Sequence, residues 1–270
     1  MSATPMTASN SAASDATPLL SARDLSVRFG GVLAVNQVSF DVQRGEVFTL
    51  IGPNGAGKTT VFNLISRIYT PTTGTLHFEG QLLSDKPPHD IAALGIARTF
   101  QNIELFENAT VLQNLLIGHH IHRGAGFWSN LFFTQASREA EIAARLSAER
   151  VIDLLGLQAL RDSFVAGLPY GKRKVVELAR ALCTGPKLLL LDEPSSGLNV
   201  EETEDMAWWI QDIKTELGIT VLMVEHDMSL VNRVSDRVLA LNLGRVLAEG
   251  TPREVQSHPA VIEAYLGQAA

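Results

Sequence analysis

After the apolar run from Glu46 to Ile51, the sequence reads Gly52-Pro53-Asn54-Gly55-Ala56-Gly57-Lys58-Thr59-Thr60, and a helix-compatible run extends from Lys58 to Ile68. This order predicts a buried strand, a glycine-rich turn and a helix. Glycines let the backbone bend so that several N–H groups point at one anion, with the positive end of the helix behind them. The stretch therefore predicts a cradle for nucleotide phosphates, in which Lys58 reaches the β- and γ-phosphates and the Thr59 hydroxyl binds the bridging Mg²⁺. The alternative, a glycine-rich turn without a ligand, is disfavoured by the strand and the helix on either side.

Composition limits the class of protein. The chain has 270 residues, of which 46% are hydrophobic, so it can bury a sizeable core in one large α/β domain or two smaller ones. Its formal net charge of −7 argues against a general nucleic-acid binder, whose affinity would depend on a basic surface, and we expect no nucleic-acid partner. The single cysteine, Cys183, cannot form an internal disulfide, and its apolar, helix-like surroundings predict a small core residue.

The sequence contains no run that approaches the roughly 18 apolar residues needed to span a bilayer, so the chain is not expected to cross a membrane. Residues 1–18 are rich in Ser, Ala and Thr and lack the basic start and apolar segment of a secretory signal. They predict a disordered tail, with the structured part beginning near Leu19.

Strand and helix patterns alternate along the chain. Short β-type runs between Leu19 and Phe48 predict a small β-rich lobe ahead of the phosphate loop. Mainly helical patterns from about Val111 to Cys183 predict a helical subdomain, at about residues 103–185, inserted into the nucleotide-binding core. The apolar runs 187–192 and 219–224 are too short to favour helices and predict strands buried on both faces. The helical pattern between them indicates an α/β fold with a mainly parallel core sheet whose carboxyl ends collect the ligand.

Two carboxylates end the first of these buried strands. Asp192 lies where it can hold Mg²⁺, and Glu193 lies one residue further toward the γ-phosphate, where it is the candidate general base for water. The alternative is that Asp-Glu-Pro forms a solvated turn between strand and loop. The apolar strand before it and the phosphate loop upstream favour the chemical role.

Four further motifs follow along the chain: Thr99-Phe100-Gln101, Leu168-Pro169-Tyr170-Gly171, the segment from Leu191 to Asn199, and Glu225-His226-Asp227. With the phosphate loop, they resemble in kind and order the motifs of ABC-transporter ATPases, and the resemblance runs from about Leu19 to Gly267. The resemblance implies one ATP-binding domain over residues 19–267. Its fold is that of a P-loop NTPase of the ABC cassette type, with a β-rich antiparallel lobe, a mainly parallel core sheet and an inserted helical subdomain. The implied activity is ATP hydrolysis coupled to solute transport, with ATP and Mg²⁺ as cofactors.

The resemblance also assigns roles to single residues. Gln101 matches the glutamine that touches Mg²⁺ or water and reports on the membrane subunit. His226 matches the switch histidine that contacts the γ-phosphate and orients the catalytic site. Phe29 stands where the family places an aromatic ring, usually tyrosine, under adenine, and phenylalanine keeps the π face needed for stacking. In isolation, His226 would more often be structural or exposed, and Phe29 would more often be a core residue.

Two segments depart from the family pattern. The signature segment, usually Leu-Ser-Gly-Gly-Gln, clamps the γ-phosphate of ATP on the partner ATPase and here reads Leu168-Pro169-Tyr170-Gly171-Lys172. Pro169 removes a hydroxyl and a backbone N–H but suits a first helical turn. The three cations from Lys172 to Lys174 predict attraction to a triphosphate, or else a solvated surface. The loop that crosses the dimer interface matches Ser196, Gly197, Leu198 and Asn199, with asparagine in place of the commoner aspartate.

Within the family, the chain resembles the branched-chain amino acid uptake group. The segments that carry this resemblance are 28–35, 97–102, 170–171, 224–228 and the tail from His258 to Gly267. The resemblance implies a peripheral subunit at the cytoplasmic face of the cell membrane. Its partners would be a second ABC ATPase, identical or different, two membrane permeases and an extracytoplasmic solute-binding protein. Segment 102–107 is the candidate contact with a permease. The transported solute stays open among leucine, isoleucine, valine, urea, short amides and aromatic acids.

Other interpretations remain. An exporter ATPase of the lipopolysaccharide-export type shares several motifs, although the long helical insertion and the tail count against it. Soluble ABC ATPases that act on ribosomes or DNA usually carry two cassettes or a coiled-coil insertion and basic surfaces, and this sequence has neither. His119, His120 and His122 have no carboxylate or cysteine at ligand spacing, so we expect surface histidines rather than a metal site.

Overall fold

The structure is a computed structural model that describes residues 17–99, 103–119 and 135–266, with the backbone alone for residues 135–137. Several predictions fall outside the described residues: most of the N-terminal tail, residues 1–16, together with Gln101, Asn102, His120, His122 and Gly267. The domain boundaries proposed at 1–18, 19–267 and about 103–185 stay predictions.

An antiparallel sheet forms the N-terminal lobe. It contains β1 (Leu20–Phe29), β2 (Val32–Val42), β4 (Thr73–Phe78) and β5 (Gln81–Leu82) in the order β2-β1-β4-β5. The predicted β-rich lobe is thus confirmed, although the short runs expected from the sequence merge into longer strands. Polar residues at 23 and 24 interrupt the alternation of apolar and polar residues in β1. Asp24 adopts a positive φ of 50°, and the pairing register of β1 with β2 shifts between Ala22 and Leu25.

The core sheet has the order β10-β9-β3-β8-β7-β6, in which β9 and β10 pair antiparallel and the other described neighbours run parallel. Its strands are β3 (Val47–Ile51), β6 (Ile96–Arg98), β7 (Leu188–Asp192), β8 (Thr220–Val224), β9 (Arg237–Asn242) and β10 (Arg245–Gly250). The prediction of a mainly parallel sheet is confirmed. Every residue of β3, β7 and β8 is buried, which explains their unbroken apolar sequences. Strand β6 was missed, since three residues carry too little pattern.

The described helices are α1 (Lys58–Ile65), α2 (Val111–Gly118), α3 (Gln135–Leu154), α4 (Tyr170–Leu182), α5 (Val200–Thr215), α6 (Met228–Val234), α7 (Pro252–Gln256) and α8 (Pro259–Leu266). Helix α1 ends at Ile65, three residues before the predicted Ile68, because Arg67 turns to a positive φ of 58°. Pro169 is the N-cap of α4 and not part of its first turn. Over the described residues, no helix combines the length and the apolar character that a membrane span requires.

Helices α2, α3 and α4 share an apolar core that includes Leu115, Ile152, Val176 and Cys183. Cys183 is almost completely buried, which confirms its prediction as a core residue, and burial raises the pKa of its thiol to about 12. A thiol in this environment is inert at neutral pH, because the thiolate is the reactive form.

Arg98, at the end of β6, links β6 to β7 and to α1 near the carboxyl edge of the core sheet. Its guanidinium donates to Asp192 Oδ2 at 2.7 Å, to Asn63 Oδ1 at 2.7 Å and to Ser66 Oγ at 3.2 Å. It also lies over the Phe62 ring, 5.5 Å from the centroid. The side chains of Arg98 and Asp192 are only 9% and 5% exposed, so each buried charge depends on the other.

We expect Arg98→Met to lower the free energy of unfolding by about 3–5 kcal/mol, because it leaves the Asp192 carboxylate buried without its cation. The measurement is urea unfolding of the nucleotide-free chain. Arg23→Met is the matched control, since Arg23 pairs with Asp41 at 2.8 Å with side chains 49% and 31% exposed. The control should cost no more than about 1 kcal/mol. Equal losses in the two variants would contradict the importance given to the buried pair.

Candidate nucleotide-binding and hydrolysis site

The phosphate loop follows β3 and is shaped by two close backbone contacts. A Cβ atom at Gly52 would lie 2.1 Å from the Leu241 carbonyl oxygen, and one at Gly57 would lie 2.6 Å from the Ala34 carbonyl oxygen. Gly57 is also the N-cap of α1 at a φ of 100°, and among the described residues no side chain caps this helix. The first N–H groups of α1 therefore remain available to an anion, as the sequence predicted.

The Lys58 ammonium is held inside this loop. It donates to the carbonyl oxygens of Gly52 at 2.6 Å and of Pro53 at 3.0 Å. Burial lowers the pKa of Lys58, while the nearby carboxylates of Glu193 and Asp192 act in the opposite direction. Lys58 is thus hydrogen-bonded to the loop carbonyls and is close enough to these two carboxylates for their charges to act on it. A phosphate entering the cradle could replace the loop carbonyls as its partner.

The other loop residues divide by their exposure. Pro53 and Ala56 are buried, whereas Asn54, Gly55 and Thr59 are exposed and Thr60 is half-buried. The exposed hydroxyl of Thr59 is a hard oxygen ligand, as is the carboxylate of Asp192, and such groups suit Mg²⁺. These two residues fit the predicted metal site, and its third predicted member, Gln101, lies outside the described residues.

The catalytic candidates meet at one edge of the core sheet because β3, β8 and β7 are neighbours that run parallel. Asp192 is the last residue of β7, and Glu193 follows it at a positive φ of 51°. His226 follows β8, with its Nδ1 4.0 Å from Glu193 Oε2. This distance is too long for a hydrogen bond, but it brings the two predicted residues into the same small space.

Glu225 has a role that the sequence analysis did not assign. Its carboxylate is wholly buried and accepts hydrogen bonds from the backbone N–H groups of Ser195 at 2.8 Å, His226 at 2.8 Å and Asp227 at 3.0 Å. It therefore links the backbone after β7 to the backbone after β8. The sequence signal that could have revealed this role is the position of Glu225 directly after the buried strand β8 and before His226. A carboxylate buried at that position has few hydrogen-bond partners besides backbone amides.

The predicted adenine platform contains a second aromatic ring. Phe29 is exposed, and the Tyr69 ring meets it edge-on at 4.9 Å between centroids with an interplanar angle of 65°. This geometry is favourable for an aromatic pair and leaves Phe29 supported from one side. Tyr69 was missed because it lies after α1, and no sequence pattern relates it to β1.

The signature and dimer-loop segments touch within the chain. A Cβ atom at Gly197 would lie 2.7 Å from the Tyr170 ring, so Tyr170 packs on the dimer loop while remaining 48% exposed. Asn199 accepts a hydrogen bond from the Glu202 N–H at 2.9 Å and is the N-cap of α5, so its side chain already has a structural partner. A Cβ atom at Gly171 would lie 2.2 Å from Glu202 Oε1, which places the starts of α4 and α5 in contact.

The three cations at the start of α4 behave differently from one another. Arg173 donates to the Leu168 carbonyl oxygen at 3.0 Å and the Ala166 carbonyl oxygen at 2.7 Å. Lys174 is buried and donates to backbone carbonyl oxygens of the loop after β7. The prediction that the three together attract a triphosphate, or together form a solvated surface, is wrong for Lys174, which is buried. The side chain of Arg173 is 29% exposed, and its role stays a prediction. Lys172 is half-buried.

Comparison with known proteins identifies the family of this chain. Residues 35–196 match the family model described as ABC transporter, and residues 245–270 match the model described as Branched-chain amino acid ATP-binding cassette transporter. The second match covers the tail from His258 to Gly267, one of the segments on which the resemblance to the branched-chain group was based.

Curated relatives extend the similarity over most of the chain. The high-affinity branched-chain amino acid transport ATP-binding protein BraF of Pseudomonas aeruginosa is 42% identical over 93% of this chain and 99% of its own length. The corresponding protein LivG of Salmonella typhimurium is 43% identical with the same coverage.

Solved structures give the same result. The ADP conformation of MJ1267, an ATP-binding cassette of an ABC transporter, superposes with a TM-score of 0.80 at 32% identity, over 93% of this chain and 99% of that one. The chain therefore belongs to the ATP-binding, ATP-hydrolysing subunits of ABC transporters, within the family of branched-chain amino acid transport ATP-binding proteins.

Proposed function

We propose that this chain is the ATP-hydrolysing subunit of an ABC importer that takes up branched-chain amino acids or related small polar solutes. It works at the cytoplasmic face of the cell membrane. The observation that carries the proposal is the group formed by Lys58, Asp192, Glu193 and His226 at one sheet edge, in a chain whose tail matches the branched-chain family. The solute class comes from the names of the relatives BraF and LivG.

In the proposed site, each group has one task. The uncapped N–H groups of α1 and the Lys58 ammonium hold the β- and γ-phosphates, and Phe29 stacks on adenine. Thr59, Asp192 and Gln101 hold Mg²⁺, which supplies charge neutralisation between the phosphates when bound. Glu193 accepts a proton from the attacking water or orients it, and His226 contacts the γ-phosphate.

Transport requires a second ABC ATPase. The segment 168–172 and the dimer loop 196–199 face that partner, so each ATP is bound between the phosphate loop of one subunit and the signature segment of the other. ATP binding closes the pair, hydrolysis reopens it, and two membrane permeases follow. An extracytoplasmic binding protein delivers the solute. We assign the cassette to residues 19–267, with the helical subdomain at about 103–185.

Segment 102–107 is the proposed permease contact, and several contacts hold the backbone of its described residues, 103–107, in place. Buried Asn114 accepts from the Phe106 N–H at 2.9 Å and donates to the Phe106 carbonyl oxygen at 3.1 Å. From α4, Arg180 donates to the Glu104 carbonyl oxygen at 2.6 Å, and Arg173 lies 3.3 Å from the Glu107 carboxylate. The Phe106 side chain is 56% exposed on this rigid base, which suits an apolar contact with another protein.

The experiment that tests the proposal is a pull-down of tagged chain carrying Glu193→Gln from detergent-solubilised membranes with ATP, followed by mass spectrometry. We expect two multi-spanning permeases and a second ABC ATPase subunit. Recovery of an exporter's membrane components would support the lipopolysaccharide-export alternative. Recovery of ribosomal proteins, or of no membrane protein, would overturn the transporter assignment.

We expect Glu193→Gln to lower the ATP turnover of the purified chain by at least about 100-fold, because the amide cannot accept a proton from water. Binding of a fluorescent ATP analogue should change by less than about threefold, since the side chain keeps its size. A variant that hydrolyses ATP at the normal rate would show that Glu193 is not the base.

We expect Phe106→Asp to reduce solute uptake by reconstituted transporter by about tenfold or more, while ATP turnover of the isolated subunit falls far less. The reason is that a charge replaces an apolar contact whose backbone Asn114 still holds. Leu217→Asp is the matched control, since Leu217 is also exposed and follows α5, outside segment 102–107. Equal losses of uptake and turnover, or an equal effect of the control, would contradict the contact.

A further inference from the structure

Lys174 is a buried cation whose donors all go to backbone carbonyls. Its ammonium donates to the carbonyl oxygens of Glu193 at 2.7 Å, Pro194 at 3.1 Å and Ser196 at 2.8 Å. An ammonium has three N–H donors, so this set uses all of them. The residue is 6% exposed, and the Tyr170 ring lies on one side, 6.0 Å from the ammonium.

The carbonyls that Lys174 binds belong to a turn, residues 193–197, which contains the proposed base and the start of the dimer loop. Glu225 binds the same turn from the amide side, through the Ser195 N–H at 2.8 Å. A buried cation thus pairs with the carbonyls of the 193–197 turn and a buried anion pairs with an amide of it. Both charges are desolvated, so their hydrogen bonds to the turn are strong.

This turn contains a residue in an unfavourable conformation. Glu193 has a φ of 51°, in the left-handed region that residues other than glycine seldom adopt. Its N–H donates to the Val224 carbonyl oxygen at 3.0 Å, and its carbonyl accepts from Lys174. Backbone strain of this kind persists only where the surroundings hold it.

We propose that Lys174 is a positioning residue for hydrolysis, which holds the 193–197 turn against Glu225 and so keeps the Glu193 carboxylate aimed at the γ-phosphate. The inference deepens the proposed function and rests on it, because it assigns a further residue to the same site. Lys174 lies one turn after Tyr170 on α4. The helix that begins at the signature segment is therefore linked directly to the backbone of the base.

Burial and the neighbouring carboxylates act on the pKa of Lys174 in opposite directions, and burial is the larger cause. Burial lowers the pKa of Lys174, and the carboxylates of Glu225, Glu177, Glu193 and Asp192 act to raise it. Asp192 and Glu193 lie at and just after the end of β7, Glu225 follows β8, and Glu177 is on the same helix as Lys174. The three hydrogen bonds to carbonyl oxygens use the ammonium, which is the form that carries three N–H donors.

The test is Lys174→Met, which keeps the length of the side chain and removes the charge and the donors. We expect ATP turnover to fall about tenfold or more, as Glu193 relaxes from its left-handed conformation. Binding of the fluorescent ATP analogue should stay within about threefold, so the loss appears in kcat and not in KM. Lys174→Arg keeps a cationic donor and should recover at least threefold over Lys174→Met.

Lys187→Met is the matched control, because it removes a lysine just before β7 whose partner is the Glu79 carboxylate at 2.6 Å on the surface. Its turnover should stay within about twofold of the unaltered chain. Unchanged turnover in folded Lys174→Met would overturn the inference. So would equal losses of turnover, nucleotide binding and thermal stability, since these would indicate a structural role alone.

If Lys174→Met does not fold, Glu225→Gln tests the same turn from its amide side and keeps the shape of the side chain. We expect the same separation of kcat from KM, and unchanged turnover would overturn the inference. Glu193→Gln in the same assay distinguishes failure of the proposed hydrolysis site from failure of the positioning role of Lys174. Normal turnover in Glu193→Gln overturns the proposed site, whereas inactive Glu193→Gln with fully active Lys174→Met overturns the positioning role alone.

Discussion

Buried backbone groups need partners where β3, β7 and β8 leave the core sheet, and the rest of the site depends on how that need is met. Just past the strand ends, the sheet still accepts from the Glu193 and Glu225 N–H groups, through Val224 and Leu50. Beyond them, charged side chains supply further partners. Lys58 donates to carbonyls of the phosphate loop, and Lys174 donates to carbonyls after β7. Glu225 accepts from amides on both sides of the β7–β8 gap. The edge of the sheet is therefore held by ionic side chains bound to backbone, and the same charges surround the space that a nucleotide would enter.

The partners of the buried cations explain why Lys58 differs in function from Lys174 and Arg98. Lys58 has loop carbonyls as partners, and a triphosphate offers stronger ones, so its contacts can be exchanged when nucleotide binds. Lys174 has no comparable alternative, since its carbonyls lie in a turn that Glu225 also holds. Arg98 is bound in the same permanent way to Asp192, Asn63 and Ser66. Lys58 can thus exchange its partners when a phosphate binds, while Lys174 and Arg98 keep theirs and hold the shape of the site.

The sequence was sufficient for most of the core sheet, for the phosphate loop and for the place of Asp192 and Glu193, because each depends on local pattern and on the rule that parallel strands end at one edge. The role of His226 came from the resemblance to ABC-transporter ATPases. It was insufficient where partners lie far apart in the chain. Arg98 pairs with Asp192 across 94 residues, and Tyr69 meets Phe29 through no shared pattern. Strand β6 is too short to be recognised, and the end of α1 depends on the backbone of Arg67.

The cations from Lys172 to Lys174 show why adjacent residues in a helix should not be interpreted as one patch. Successive residues of an α-helix point about 100° apart, so three in a row face three directions. Arg173 turns back to the carbonyls that precede α4, and Lys174 enters the turn after β7. A run of like charge at a helix N-terminus opposes the helix dipole, and pairing with carbonyls offsets that cost for two of its members. The charge that looked like a surface for a partner's ATP is therefore mostly used inside the chain, to hold the turn that carries Glu193.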